Sequence, residues 1–210
     1  NILLNKPMLN IRALVYFLKY SIYLPLFLPI LFVYLLGGTK RKLINEDIDA
    51  ISSFSCGNRP KNHLPYFIKY FSDLKEFRSQ VYFRLKPWSF VFRTLPGQVG
   101  LTLNIPQDKL AGGLYIHHGH STQISARSIG KNFSIHHNCS VAHGKGGVPE
   151  IGDNVFIGTG AVVMGGIRIG NNVKIGANAT VFKDIPDNCT VVGGKAIIVK
   201  REGRKIHEEL

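Results

Sequence analysis

From residue 129 onward, aliphatic side chains recur every six positions. Ile129, Ile135 and Val141 come first; after an interval of ten residues follow Ile151, Ile157, Val163, Ile169, Ile175 and Val181. Glycine often comes next, at Gly130, Gly152, Gly158, Gly170 and Gly176. Leu110 and Ile116 extend the pattern upstream, out of step with it. A period of six suits neither a helix, at 3.6, nor a strand, at 2. It predicts a mainly β fold: a left-handed parallel β-helix of hexapeptide repeats, three to a turn, each aliphatic residue stacked inward on those of neighbouring coils. Gly and Asn are expected at the corners, where positive φ or close backbone approach is required. The long interval predicts an excursion over Ala142–Glu150, and a loop leaving a regular scaffold is a natural place for function.

The N-terminal half follows other patterns. Residues 20–39 carry no formal charge over 20 positions, long enough to cross a bilayer. Arg12 and Lys19 precede this run, and Lys40, Arg41 and Lys42 follow it. Pro25 and Pro29 would kink a helix, so a kinked span, a re-entrant hairpin and an interfacial helix pair are all open, as is a helix pair buried in a protein core. A cleaved signal peptide fits poorly, because Lys19 interrupts the apolar stretch and no A-x-A-like site follows. Phe67, Tyr70, Phe71 and Leu74 have the spacing of one helical face. That face either packs on the C-terminal domain or lies on an anionic membrane surface. The expected organisation is a helical, membrane-associated module over 1–95, the β-helix over 101–199 and a charged tail over 200–210. The sequence opens on Asn1, so an initiator Met, or more, is expected to precede it.

Charge sharpens the membrane expectation. The formal net charge is +13; residues 1–100 hold 14 Lys/Arg against 5 Asp/Glu, and residues 101–210 hold 12 against 8. The basic excess therefore adjoins the apolar run, which favours anionic lipid, and no nucleic-acid motif accompanies it. Cys56, Cys139 and Cys189 show no CxxC spacing, so no disulfide framework is expected.

Six of the eight histidines fall between 117 and 143: His117, His118, His120, His136, His137 and His143. A neutral imidazole titrates near working pH and suits general-base chemistry. No G-x-S-x-G elbow is present. Three converging histidines with an open fourth position would instead make a zinc site, but adjacent histidines on a strand point alternately inward and outward. A non-catalytic scaffold is a third possibility.

The stretches LAGGLYIHHGHS (110–121), FSIHHNCSVAHGKGGVPE (133–150) and 155–199, with GTGAVVMGG, GANATVFKDIPDN and VVGGKAIIV, resemble hexapeptide acyltransferases, the serine acetyltransferase group above all. LINEDI (43–48) and KEFRSQVYFRL (75–85) are similar to segments of acetyltransferase-like proteins from surface-polysaccharide gene clusters. The resemblance implies acetyl transfer from acetyl-CoA to a hydroxyl, with no metal, and a homotrimer whose sites lie between neighbours. It puts the catalytic histidine on His118 and the residue that orients it on Asn104; among the clustered histidines, His143 in the excursion is the reserve base. His117, His120 and His137 are expected on the acceptor side. Gly158, Gly160, Ala161, Gly176 and Ala177 would let the pantetheine arm lie close to the coils, with Lys195 or Lys200 near the CoA phosphates. The family's acidic neighbour of the catalytic histidine is His117 here, and its Arg-His pair before the loop proline is Gly147-Val148. The large helical N-terminal domain of the serine enzymes is expected to be absent. These departures imply a saccharide acceptor at the cytoplasmic face of the membrane, with serine as the alternative.

Overall fold

A computed structural model describes residues 21, 25, 26, 28–194, 197–201 and 203–209. The N-terminal half is a helical module. Residues 28–36 form α1; α2 spans Thr39–Cys56, α3 His63–Asp73, α4 Lys75–Arg84 and α5 Trp88–Val91. The Asn62 side chain caps α3 by accepting from the Leu64 N–H at 3.1 Å. Phe67, Tyr70 and Phe71 are buried with Ile30, Tyr34, Ile44, Ile48 and Ile51, and Tyr34 stacks on Phe67 with ring centroids 4.0 Å apart. The helical stripe read from the sequence therefore faces its own module's core; among the described residues of the β-helix, Tyr115 alone joins this core.

The membrane reading of residues 20–39, in which a span is one of the open forms, gains no support from the described residues. Among the described residues no helix is long and apolar enough to cross a membrane. The helix over 28–36 ends at Gly37 and Gly38, where the chain turns into α2, and Ile30 and Tyr34 are fully buried. The rest of the run from Tyr20, and all that precedes it, lies outside the described residues except Ser21, Pro25 and Leu26.

The C-terminal half is a parallel β-solenoid of about five turns, its strands falling into three stacked sheets. The first sheet holds β1 (Leu101–Asn104), β3 (Thr122–Ser125), β6 (Ser140–Ala142), β9 (Val162–Met164) and β12 (Thr180–Val181). The second holds β4 (Ser128–Ile129), β7 (Glu150–Ile151) and β10 (Arg168–Ile169). The third holds β2 (Tyr115–Ile116), β5 (Ser134–Ile135), β8 (Phe156–Ile157), β11 (Lys174–Ile175) and β13 (Thr190–Val191). Register places Ile116, Ile135, Ile157, Ile175 and Val191 in one column. Leu103, Ile124, Val141, Val163 and Val181 make another. Each fully buried aliphatic side chain contributes about 1.5–3 kcal/mol.

The corners divide the labour between Asn and Gly. Asn132, Asn154, Asn172 and Asn188 take φ between 56° and 61°, and their side-chain amides bond in a ladder at 2.9 Å per step. Gly130 and Gly152 serve close stacking instead: a Cβ on Gly130 would stand 2.6 Å from the Gly152 carbonyl group. The excursion is a tight turn rather than an extended loop. Gly144 and Gly147 exchange both backbone hydrogen bonds, and the Gly166 N–H donates to the Lys145 carbonyl at 2.9 Å, which folds the turn onto the next coil.

A buried ion pair joins the two halves. Arg84 in α4 holds Asp47 in α2 through Nε–Oδ2 at 3.1 Å and Nη2–Oδ1 at 3.0 Å, and both side chains are 1% exposed. Arg84 also donates to the carbonyls of Leu110 and Ala111, while Asp47 Oδ1 accepts from the Leu114 N–H. Burial pushes the Asp47 carboxyl up, and the guanidinium beside it pulls it back. Beyond the last coil, β14 (Ile197–Arg201) and β15 (Arg204–Glu209) form an antiparallel pair where the sequence suggested a tail.

Candidate active site

The first and second coils meet at a widened corner. Between inward Ile116 and Ile124 the chain takes eight residues rather than six. His118, Gly119 and Ser121 adopt φ of 66°, 58° and 49° there. Positive φ is uncommon outside glycine, and such backbone collects at functional positions. The bulge exposes His118 and His120, with His117 half-buried beneath them. The next coil adds His136 and His137.

Five imidazoles thus gather at one corner. Ring centroids are 4.3 Å apart for His117–His118, 4.6 Å for His117–His136, 4.7 Å for His120–His137 and 5.9 Å for His118–His137. Phe54 of α2 reaches to 5.7 Å from the His117 ring. Burial first, and then the charges of neighbouring histidines, push His117 and His136 below the ordinary imidazole range, so both are neutral at pH 7. Nδ1 of His117 and Nδ1 of His137 are buried and make no hydrogen bond among the described residues. Buried polar atoms are nearly always partnered, so these two suit a polar ligand or water. Among the described residues no three His, Cys, Asp or Glu side chains converge as a metal ion requires.

The same edge continues down the solenoid with small residues. Backbone bonds run from His117 N to Ile135 O, His136 N to Ile157 O, Gly158 N to Ile175 O and Gly176 N to Val191 O. The corner therefore reads His117-His118, His136-His137, Gly158-Thr159 and Gly176-Ala177 on successive coils. Gly158 is required by stacking alone, since its Cβ would meet the Ala177 nitrogen at 2.8 Å. Gly160 has φ of 74°, and the Ala161 side chain is buried in the core, so it would meet a ligand only through its backbone. Lys200 is exposed on β14; Lys195 lies outside the described residues.

Asn104 and His143 stand elsewhere. Asn104 ends β1 and pairs with Ser125, whereas the histidine corner leads into Thr122, which pairs with Leu101. Three residues of strand, about 10 Å, separate the two ends. His143 is exposed just past Ala142, on the Asn104 side of the sheet. Within one chain the structure brings together His117, His118, His120, His136 and His137, and leaves Asn104 and His143 at another corner.

Sequence reasoning missed a cleft of about 610 Å³ between the two halves. Glu46, Asp49, Ser53, Phe54 and Arg59 form its helical wall; Gly112, Gly113, Tyr115, Lys131, Asn132 and Ser134 form the solenoid wall. It adjoins the cluster through Phe54 and through Tyr115, whose ring is 5.6 Å from that of His117. Burial and nearby Glu76 push the Tyr115 hydroxyl up to about 12. The signal for this cleft lay in the LINEDI segment, which supplies both Glu46 and the junction residue Asp47.

Comparison with known proteins agrees with the fold. Residues 149–183 match the family model for the bacterial transferase hexapeptide (six repeats). A serine acetyltransferase of Staphylococcus epidermidis is 40% identical over 107 residues, covering 48% of this chain and 50% of that protein. The chain spans about half the length of the curated relatives it matches. The crystal structure of Neisseria gonorrhoeae serine acetyltransferase in complex with serine superposes with a TM-score of 0.58 at 26% identity, over 91% of this chain and 77% of that one. The Brucella abortus enzyme in complex with coenzyme A shares the fold, with a TM-score of 0.54 at 22% identity over 86% and 73%. Coverage of 91% extends well beyond the solenoid. By sequence over the solenoid and by fold over both halves, the chain is similar to serine acetyltransferases, and its solenoid carries the bacterial transferase hexapeptide repeat.

Proposed function

We propose that the protein transfers an acetyl group from acetyl-CoA to an acceptor hydroxyl, with His118 as the base. The observation that carries this reading is the single corner on which exposed His118 stands among neutral imidazoles, directly above a shelf of small residues. Acetyl-CoA supplies an activated acyl group, and Gly158, Thr159, Gly176 and Ala177 leave the edge below the histidines free of bulk for its pantetheine arm. His118 takes the hydroxyl proton as the acceptor oxygen bonds to the carbonyl carbon, and returns it to sulfur as the carbon–sulfur bond breaks. His117 and His137 offer their unpartnered Nδ1 atoms to the acceptor.

Similarity favours serine as that acceptor, because the relatives are named for it. A cation for its carboxylate stands at the Asn104 and His143 corner, to be brought to His118 by a neighbouring copy. Arg127 lies with Nη2 3.9 Å from where a Cβ on Gly147 would stand, and it pairs with Glu150 at 3.0 Å. The cleft favours a second reading, a saccharide hydroxyl. A cleft of about 610 Å³ is several times larger than one serine, and its walls mix polar side chains with a Phe54 that is 58% exposed.

The separation of Asn104 and His143 from the histidine cluster supports assembly as a homotrimer. A neighbouring copy can bring its Asn104 corner to the His118 corner of the next, in a closed ring. The deciding experiment is CoA release with L-serine and with a panel of saccharides, using wild type and His118→Ala. Release with serine alone selects the first reading, and release with a saccharide alone selects the second. Equal activity in the variant rejects His118 as base.

A further inference from the structure

One face of the helical module is inside out. In α5, Ser89 is buried with its hydroxyl on the Tyr82 carbonyl, while Trp88, Phe90 and Val91 are 59%, 91% and 71% exposed. The helix over 28–36 is apolar on two faces. Ile30 and Tyr34 enter the core, but Leu28, Phe32, Leu35 and Leu36 point outward, Leu36 at 70% exposure. A helix apolar all round is normally covered on every side. The two exposed faces adjoin: Phe32, Leu36, Trp88 and Phe92 line one groove of about 480 Å³, with Lys40 at its edge. Cations frame the surface. Lys86 and Arg93 flank Phe90 in a neighbouring hollow, and Arg41 and Lys42 are exposed on the first turn of α2. Residues 28–45 and 77–107, which build this surface, contain no Asp or Glu.

We propose that this face docks on an anionic lipid surface, with Phe90, Trp88, Phe32 and Leu36 entering the headgroup region and Lys40, Arg41, Lys86 and Arg93 meeting lipid phosphates. Apolar insertion and a basic rim are the two signals that hold a peripheral protein on a bilayer. Trp beside cations is the composition of the membrane–water interface. A protein partner would more usually match such a rim with a mixture of charges, and no acidic residue interrupts this one. The face is built on the helical module and none of the five clustered histidines lines it, so the proposal does not depend on the acetyl-transfer reading.

The test is co-sedimentation of the full chain with vesicles of phosphatidylcholine alone and with added phosphatidylglycerol, at low and high salt. Binding to the anionic vesicles should exceed that to the neutral ones by at least about tenfold and fall with salt. Trp88→Ser/Phe90→Asp and Lys86→Glu/Arg93→Glu should each abolish it while leaving the circular dichroism unchanged, since these side chains are exposed. Equal binding to both vesicle types, or binding that neither variant disturbs, would overturn the proposal; the second result would move lipid contact to residues 1–20. Concentration-dependent self-association without lipid, abolished by Phe90→Asp, would assign the face to a second copy instead.

Discussion

His117 and His136 show how a residue's surroundings set its chemistry. Each loses hydration by burial, and each sits among other imidazoles, so adding a proton to either is costly. The unfolded chain, with ordinary histidines near pH 6.5, then binds more protons than the folded one. Stability is undiminished above that pH and is lost as pH falls below it, until the folded-state histidines titrate in turn. The melting temperature of wild type should therefore fall more steeply between about pH 7 and pH 5.5 than that of His117→Asn/His136→Gln. Parallel curves would sink this account of the corner. The sequence made the cluster legible, because five histidines fall within one turn of a countable repeat. It could not show that Asn104 and His143 lie across a sheet from His118, since that depends on which corner each coil has reached.

At the scale of elements, the six-residue rule was legible wherever corners keep their length. Ile124 and Ile185 escaped it although both are buried in the core. The corner before Ile124 carries the histidine bulge, and the one before Ile185 is two residues short. The helical core was misread for a different reason. Amphipathic spacing reveals that a face is apolar, not whether lipid or protein covers it. The junction makes a direct test of how the halves depend on each other. Arg84→Met leaves the buried Asp47 carboxyl without its partner and should cost about 3–5 kcal/mol in urea unfolding. A loss below about 1 kcal/mol would mean the halves are not held together there. Gly130→Ala presses a methyl against the Gly152 carbonyl group and should cost about 1–3 kcal/mol. No loss would mean that the coils can spread.

For the whole molecule, the proposed site residues lie at two corners of one solenoid, His118 at one and Asn104 with His143 at the other. If neighbours complete each other, light scattering will give three times the mass of one chain. Inactive His118→Ala mixed and reassembled with a variant inactivated at Asn104 should then recover part of the wild-type activity, because some interfaces pair two intact corners. A monomer, or no recovery from reassembled mixtures, would place the whole site in one chain. The central claim, that His118 is the base for acetyl transfer, is tested most directly by acetyl-CoA turnover in His118→Ala. With the acceptor that wild type uses, CoA release should fall by about 10²–10⁴-fold while the fold and the unfolding midpoint stay intact; turnover equal to wild type would contradict the account.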